Sequence, residues 1–442
     1  MGKSDAVHVI GAGLAGCEAA FQIASRGVPV RLYEMKPKKY SPAHSYPGFA
    51  ELVCSNSLRA ARISNAVGLL KEEMRRLNSL IMREADAAEV PAGGALAVDR
   101  YAFSDGITAA LCSHPLVEIA EEEITDIQPF LEKYTIVATG PLTSDALSES
   151  LRKLLGQEYL HFFDAAAPIV TRESLDFSRI FAGSRYGKGG DDYLNCPMSR
   201  AEYEAFYDAL IHAECVEQKG FEQDGVFEGC MPVEVMAKRG FQTLAYGPLK
   251  PVGLTDPRTG QRPFAVVQLR KEDAAGSMLN LVGFQTHLKF GEQKRVFGMI
   301  PGLEQAEFAR YGVMHRNTYM NSPRLLDEYY RLRGRENVWF AGQMTGVEGY
   351  VESAASGLLA GIAAAQTIKG GPLPEVSDET TIGALARYVS SSASADFQPM
   401  NINFGIMRPL DTRIRRKEER NEAIAERALV RVERIGKNES TV

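Results

Sequence analysis

A glycine-rich turn between two apolar strands constrains the fold of this chain more than any other feature. The stretch 7–34 starts with an apolar strand, continues through an alanine-rich helical run, and ends with a second strand that closes at Glu34. The first strand leads into a G-x-G-x-x-G turn made of Gly11, Ala12, Gly13, Leu14, Ala15 and Gly16. Such glycines allow a close backbone approach to a pyrophosphate, and the helix behind them offers its positive N-terminus to that anion. An acid at the end of the second strand accepts hydrogen bonds from a ribose. The order of these elements predicts a Rossmann-type dinucleotide site.

Two later segments indicate which dinucleotide is bound. A short β-branched strand ends at Thr139 and Gly140, and a late buried-type strand runs into an Ala/Gly-rich helix. A folded FAD spans two strand-to-helix junctions, one at its pyrophosphate and one at its ribityl–isoalloxazine end. We therefore predict an α/β, Rossmann-like FAD-binding domain of the glutathione-reductase type. The second junction adds these predicted cofactor-binding residues: Gly342, Gln343, Gly349, Tyr350 and Val351.

The pattern along the chain predicts that this FAD domain is discontinuous. From roughly residue 165 onwards, short strands, aromatic residues and glycine-rich turns replace the βα pattern, which returns near residue 325. We expect the FAD domain to comprise 1–165 and 325–442, with an α+β substrate domain inserted at 166–324. The C-terminal stretch carries Ile424, Ala428 and Val432 at helical spacing, which predicts a docked helix with a solvated charged face.

The composition excludes several classes of protein. No apolar run reaches the ~18 residues that a membrane span needs. Six cysteines lie far apart without a C-x-x-C, which favours a reducing cytoplasm over a disulfide framework or a zinc ribbon. The histidines lack metal-ligand spacing, so we predict no metal site. A net charge of −6 gives no global attraction to nucleic acid, so any RNA contact depends on local basic clusters.

Two cysteines stand in settings that suit chemistry. Cys230 lies two residues before Pro232, a residue that fits the first position of a helix, and a helix N-terminus favours thiolate over thiol. Cys54 precedes three polar residues that are expected to cap a helix beginning near Leu58. A structural role in the core is the alternative for each cysteine. Tyr350 either stacks on a flat ring or packs in the core.

The segments around these two cysteines, 51–59 and 227–239, resemble signatures of the TrmFO family. This is the family of folate- and FAD-dependent tRNA (uracil-5-)-methyltransferases, related to the tRNA-modifying MnmG/GidA flavoproteins. The similarity extends nearly end to end and includes 90–100, 247–254, 280–295, 342–361 and 397–404. The residues of the segment 269–273 differ from the sequence that is usual in the family.

The resemblance implies a reaction and a role for each cysteine. It implies methylation of uracil C5 in the T-arm of tRNA, with carbon from 5,10-methylenetetrahydrofolate. It also implies that FAD supplies two electrons and is reduced in turn by NADPH or NADH. A thiolate must add at C6 before C5 becomes nucleophilic. We predict Cys230 as this nucleophile and Cys54 as acid/base or as protector of the thiol, with the reverse assignment open. Tyr350 is expected to sandwich the pterin against the flavin.

Three alternatives stay open at this point. The same chemistry on ribosomal RNA would need only a different RNA-binding surface. A plain FAD-dependent NAD(P)H oxidoreductase would not need two cysteines at helix starts. A flavin-bearing RNA-binding protein without catalysis would bind tRNA but form no adduct with RNA that contains 5-fluorouridine.

Overall fold

The computed structural model describes residues 6–156, 159–187, 190–216, 231–273, 275–391 and 397–437. Its strands are β1 Val7–Ile10, β2 Val30–Glu34, β3 Ser57–Ala60, β4 Glu89–Val90, β5 Ala95–Val98, β6 Val117–Glu121, β7 Thr135–Val137, β8 Tyr159–Ala166, β9 Ile169–Thr171, β10 Phe181–Ala182, β11 Tyr193–Met198, β12 Ala265–Lys271, β13 Met278–Leu281, β14 Phe308–Arg310, β15 Val313–Met320 and β16 Val338–Phe340. Its α-helices are α1 Leu14–Ser25, α2 Ala66–Arg76, α3 Leu80–Ala87, α4 Arg100–Cys112, α5 Asp145–Leu155, α6 Arg200–Ile211, α7 Val233–Lys238, α8 Thr243–Tyr246, α9 Phe290–Phe297, α10 Ser322–Leu325, α11 Tyr350–Lys369, α12 Thr381–Ser391 and α13 Lys417–Lys437.

A parallel sheet with the order β16-β7-β1-β2-β6 carries the first half of the fold. Every neighbouring pair in this sheet is parallel, with Val9 of β1 opposite Leu32 of β2 on one side and Ile136 of β7 on the other. Because β16 comes from the end of the chain, the chain leaves this sheet after β7 and returns to it much later. The predicted Rossmann-like α/β fold is confirmed. The domain boundaries at 165 and 324 remain a prediction.

Helices α1 and α11 pack against each other through small residues. A Cβ atom added at Gly357 of α11 would lie 2.1 Å from the carbonyl oxygen of Ala15, and one at Gly361 would lie 2.8 Å from that of Ala19. Real Cβ atoms are not found this close to backbone oxygens, so only glycine permits the approach. The small residues of both helices therefore allow them to pack closely, with their N-termini on the same side of the sheet.

The middle of the chain builds a second sheet of antiparallel strands. Its order is β10-β11-β12-β13-β9-β14, and helices α6, α7 and α9 contribute to the hydrophobic core beside it. Strands β12 and β13 are neighbours in this sheet, with Leu269 opposite Leu281. An antiparallel pair of β8 with β15 lies where the chain leaves the first sheet and where it returns. The middle region is α+β, as its sequence pattern predicts.

The helix predicted to begin near Leu58 is wrong. Residues Ser57–Ala60 form strand β3, which pairs with β5 at Ser57 opposite Ala97. The serine hydroxyls accept hydrogen bonds from the next residue but one, from Ser57 N to Ser55 Oγ at 3.1 Å and from Arg59 N to Ser57 Oγ at 3.1 Å. These local bonds satisfy the backbone in a turn instead of capping a helix.

The predicted C-terminal helix is confirmed as α13. Ile424, Ala425 and Ala428 are buried against Leu69 of α2. No helix among the described residues is both long enough and apolar enough to cross a bilayer.

Candidate active site

The glycine-rich turn between β1 and α1 is held so tightly that side chains are excluded at two of its three glycines. Gly11 has φ +102°, and a Cβ atom there would lie 2.7 Å from the carbonyl oxygen of Ala138. A Cβ atom at Gly16 would lie 1.8 Å from the carbonyl oxygen of Gly11. Gly13 differs, because nothing lies within 4 Å of the position that its Cβ would occupy. The turn therefore packs against Ala138 at Gly11 and against its own backbone at Gly16, and it leaves open space in front of Gly13.

The N-terminus of α1 faces this open space without a side-chain cap. Gly13 is the N-cap residue, and in the described part of the chain the helix start has no side-chain cap hydrogen bond. Glu34, 8% exposed, braces the turn from the other side, because its Oε2 accepts from Ala12 N at 3.0 Å and its Oε1 from Lys36 N at 2.9 Å. A carboxylate has about four lone-pair directions, so it retains capacity for a ribose hydroxyl. Free N–H groups at a helix start beside an acid suit a dinucleotide.

One continuous groove runs along this turn, and we call it the nucleotide groove. Most of the residues predicted to bind the cofactor line it, namely Gly11, Ala12, Gly13, Leu14, Ala15, Glu34, Thr139, Gly140, Gly342, Gln343 and Tyr350. Three predicted residues are not part of its wall. Gly16 lies behind the turn, Val351 is buried in the core, and Gly349 precedes α11 with φ +115°. Lys36, His44 and Glu51 line the groove although the sequence pattern did not single them out.

The second glycine-rich junction closes the far end of the nucleotide groove. Gly342, with φ +87°, donates its N–H to Ser356 Oγ at 2.7 Å, and the amide of Gln343 donates to both carboxylate oxygens of Glu348. Helix α11 also begins without a side-chain cap, with Gly349 as its N-cap residue. The groove thus has two uncapped helix N-termini, as the spacing of the two junctions predicts.

Cys54 follows Val53, a residue in the wall of the nucleotide groove, on a loop that Tyr350 holds in place. The phenolic oxygen of Tyr350 accepts hydrogen bonds from Cys54 N at 2.7 Å and from Ser55 N at 3.3 Å. On the other side, Arg310 donates from its Nη2 to the carbonyl oxygen of Cys54 at 3.1 Å. Burial, with the nearby Cys54, raises the pKa of Tyr350 well above its usual value, so the hydroxyl keeps its proton. The Cys54 backbone is therefore fixed from both sides.

A second cavity opens beside Cys54 and shares His44, Glu51 and Val53 with the nucleotide groove. Its wall holds an ion pair in which Arg100 donates from Nε and Nη2 to Glu272 Oε2 at 3.0 and 2.5 Å. The sequence pattern did not find this pair, whose members lie 172 residues apart.

Two buried arginines give this cavity its electrostatic character. Burial opposes the charge of Arg100, but Glu272, Tyr350 and Cys54 outweigh burial and raise the pKa of its guanidinium. For Arg310, burial and the nearby Arg100 together lower the pKa. The wall of the cavity therefore sets two guanidinium groups against the carboxylates of Glu51 and Glu272.

Cys230 and residues 217–229 lie outside the described residues, so the structure gives no geometry for the predicted nucleophile. The described chain resumes at Met231, and helix α7 begins at Val233 with Pro232 as its N-cap residue. The predicted helix start is therefore displaced by one residue, since the φ of −58° and ψ of 143° at Pro232 are not helical. The activation of Cys230 stays a prediction.

A cluster that the sequence analysis did not anticipate gathers Cys215, Glu234 and His287. One potential ligand atom of each lies within 4.8 Å of the others. His287 Nδ1 lies 2.5 Å from Glu234 Oε1, and Glu234 also accepts from His287 N at 2.9 Å and from Thr286 Oγ1 at 2.8 Å. Burial disfavours the charge on His287, but Cys215 and Glu234 outweigh burial and raise the pKa of the imidazole to about 9. The absence of a metal site remains a prediction.

A parallel sheet with a glycine turn, an acid at the end of β2 and a second glycine junction defines the class of Rossmann-like FAD-binding folds. A family model described as "Glucose inhibited division protein A" (GidA) matches residues 6–372. This chain belongs to that family. Within it, the chain is 60% identical to "Methylenetetrahydrofolate--tRNA-(uracil-5-)-methyltransferase TrmFO" of Listeria monocytogenes serotype 4b (strain F2365), over 97% of this chain and 98% of the relative.

Further matches agree with this assignment. The TrmFO of Acetivibrio thermocellus is 61% identical over 96% of this chain and 97% of the relative. Among solved structures, GidA of Aquifex aeolicus in its form II crystal superimposes with a TM-score of 0.73 at 16% identity, over 99% of this chain and 74% of that one. The resemblance to the TrmFO family that the sequence motifs predict is confirmed, and the structural match supports the fold.

Proposed function

We propose that this protein methylates C5 of uracil in the T-arm of tRNA, with carbon from 5,10-methylenetetrahydrofolate, electrons from FAD and NADPH or NADH as reductant. The names of relatives about 60% identical over nearly the whole chain support this reaction. The observation that carries the proposal is the position of the loop that holds Cys54, whose preceding residue Val53 lines both the nucleotide groove and a second cavity. We further propose that the reaction takes place in the cytoplasm.

The residues of the nucleotide groove fit FAD. The open space before Gly13, the uncapped start of α1 and the Glu34 carboxylate match the needs of a pyrophosphate and a ribose. When bound and reduced by NADPH or NADH, FAD would supply the two electrons that, with a proton, convert a methylene group into a methyl group. Gly342 and Gln343 would contact its other end, and the Tyr350 ring lines the same groove, where it would cover the pterin.

Cys54 and Cys230 divide the protein's share of the chemistry in this proposal. One thiolate adds to C6 of uracil, which makes C5 nucleophilic. After the carbon has been transferred, a base removes the proton on C5 and the thiolate leaves C6, which restores the free cysteine. We assign the addition to Cys230 on the resemblance to the family. Cys54, fixed by Tyr350 and Arg310, then serves as acid/base or protects the resting thiol. The reverse assignment uses the same two residues.

A covalent-adduct experiment tests this division. tRNA that contains 5-fluorouracil is incubated with the wild-type protein and with Cys54→Ala, Cys230→Ala and Cys112→Ala, the last altering an exposed cysteine as control. We expect a protein–RNA adduct with the wild type and with Cys112→Ala, and none with Cys230→Ala. An adduct that survives in Cys230→Ala but is lost in Cys54→Ala would reverse the roles. Adduct formation in both single variants would contradict the proposal.

A further inference from the structure

The second cavity, lined by Arg100, Glu272, Phe290, Phe308, Arg310 and Tyr311 among others, has features that the proposed chemistry does not use. It adjoins Cys54 through Arg310 and continues from the nucleotide groove through Val53. Glu272 belongs to the segment 269–273, whose residues differ from the sequence that is usual in the family. A cavity that opens directly beside a proposed reactive cysteine is positioned to hold the substrate of that cysteine.

Three polar atoms in its wall lack a hydrogen-bond partner among the described residues, and one of them, Glu51 Oε2, lies 3.5 Å from Lys36 Nζ. Glu272 is 2% exposed, and while its Oε2 pairs with Arg100, its Oε1 has no partner in the part of the chain that the structure describes. Within the same described part, Arg310 Nε is buried and has none either. A buried carboxylate oxygen and a buried guanidinium N–H that are left unpaired cost free energy unless a ligand satisfies them. The cavity therefore calls for a ligand with one donor and at least one acceptor.

Uracil fits this pair with its N3–H toward Glu272 and a carbonyl oxygen toward Arg310. The Watson–Crick edge of uracil presents the N3–H donor between the O2 and O4 acceptors. Cytosine presents a bare N3 acceptor and an N4 amino donor instead. In that orientation the Glu272 oxygen would accept from the N3–H of uracil and Arg310 would donate to a neighbouring carbonyl, whereas cytosine held in the same position would set its N3 lone pair against the carboxylate. Sites that hydrogen-bond a substrate group reject analogues that lack it.

The mouth of the cavity adds a stacking surface. Phe290 stacks on Tyr311 with ring centroids 4.7 Å apart and planes 20° apart, and Tyr311 stacks on Phe308 at 5.0 Å and 8°. Phe290, at the end of this three-ring stack, is 54% exposed. Such a large exposed aromatic ring on a rigid support is typical of surfaces on which unstacked bases lie.

We propose that the second cavity is the binding site for the target uracil of the RNA, with Glu272 and Arg310 reading its Watson–Crick edge and Phe290 stacking a flipped-out base. The proposal rests on the proposed function for the identity of the RNA. A pterin, which also carries a lactam edge, is the competing occupant. The nucleotide groove, with the Tyr350 ring in its wall, already provides a place for the pterin next to the flavin.

The experiment measures KM for a T-arm RNA and for methylenetetrahydrofolate separately. The variants are Phe290→Ala, Glu272→Gln and the control Tyr246→Ala, which removes an aromatic ring that is 77% exposed and outside the cavity wall. We expect Phe290→Ala to raise KM for the RNA about tenfold, the scale of one lost base–aromatic stack, and to leave KM for the folate unchanged. Tyr246→Ala leaves both constants unchanged. A raised KM for the folate alone, or no change in either constant, would overturn the proposal.

A binding competition separates this inference from the proposed function. T-arm hairpins with uracil or cytosine at the target position compete for the wild type and for Glu272→Gln without folate. We expect a preference for uracil in the wild type that shrinks at least tenfold in Glu272→Gln, and equal preferences in both proteins would overturn the site. Flavin content reports whether Glu272→Gln has folded, and Phe290→Ala tests the site without touching the ion pair of Arg100. A wild type that prefers uracil yet methylates no tRNA would refute the function and leave the site standing.

Discussion

Alanine substitutions at Gly13 and at Gly16 test the nucleotide groove in two separable ways, because the two glycines face different surroundings. A Cβ atom at Gly16 would lie 1.8 Å from the carbonyl oxygen of Gly11, and it must move at least 1.2 Å to reach the 3.0 Å below which such contacts are essentially never seen. The atom in the way belongs to the backbone of the turn. A Cβ atom at Gly13 meets nothing within 4 Å, and the φ of −78° and ψ of −173° at Gly13 suit alanine.

The expected magnitudes follow from these contacts. Overpacking costs about 1–3 kcal/mol, and a backbone clash belongs at the upper end, while alanine recovers about 1 kcal/mol of helix propensity at Gly16. Gly16→Ala should therefore lose about 2 kcal/mol of stability in the FAD-free protein. Gly13→Ala should unfold like the wild type without FAD, since N-cap substitution of glycine by alanine costs at most about 1 kcal/mol. Its methyl group, however, occupies the space that the pyrophosphate needs.

Two assays read these effects independently. Thermal unfolding of the FAD-free proteins reports stability, and titration with FAD, followed by flavin fluorescence, reports affinity. We expect Gly13→Ala to bind FAD about 10- to 100-fold more weakly at near-normal stability, and Gly16→Ala to melt at a lower temperature. Wild-type FAD affinity in Gly13→Ala would contradict a pyrophosphate site in front of Gly13. Wild-type stability in Gly16→Ala would contradict the tight backbone contact at Gly16.

Three further changes have defined outcomes. Tyr350→Phe removes the acceptor of two backbone N–H groups, so the methylation rate should fall about tenfold while FAD content stays normal, and an unchanged rate would contradict this role. Gly357→Ala puts a Cβ atom 2.1 Å from a backbone oxygen of α1 and should lower both the melting temperature and FAD content, unlike Gly94→Ala, which meets nothing within 4 Å. Glu234→Gln should lower the pKa of His287, now about 9. Because a raised histidine pKa stabilises the fold below about pH 6.5 and loses that effect as pH rises through 9, the melting temperature of this variant should depend less on pH between those values.

The sequence predicts the nucleotide groove well because its determinants are local. The turn from Gly11 to Gly16, the acid Glu34 and the junction at Gly342 each depend on residues adjacent in the chain. Strand, turn and helix follow one another within a short stretch, and the backbone conformation itself selects glycine there. The long small-residue helix α11 is also predictable, because composition alone indicates close packing.

The rest of the site depends on contacts between distant segments. Arg100 and Glu272 are separated by 172 residues, and Arg310 and Cys54 by 256. No periodicity links such residues, and they meet only because the antiparallel sheet lies against the loop that carries Cys54. Near Cys54 the prediction from the sequence is wrong. Ser55 and Ser57 are typical of helix caps, but their hydroxyls accept backbone hydrogen bonds within a turn that leads into β3. A serine hydroxyl can accept a backbone hydrogen bond at a helix cap or in a turn. The pairing of β3 with β5 selects the turn here.

The most direct test of the proposed reaction is transfer of labelled carbon. The purified protein is incubated with unmodified tRNA transcript, NADPH and tetrahydrofolate labelled in its methylene group, and the nucleosides are analysed by mass spectrometry. We expect label in 5-methyluridine from the T-loop of the tRNA, dependent on FAD and absent in Cys230→Ala. Oxidation of NADPH without label in tRNA or in ribosomal RNA would contradict it and would indicate a plain oxidoreductase.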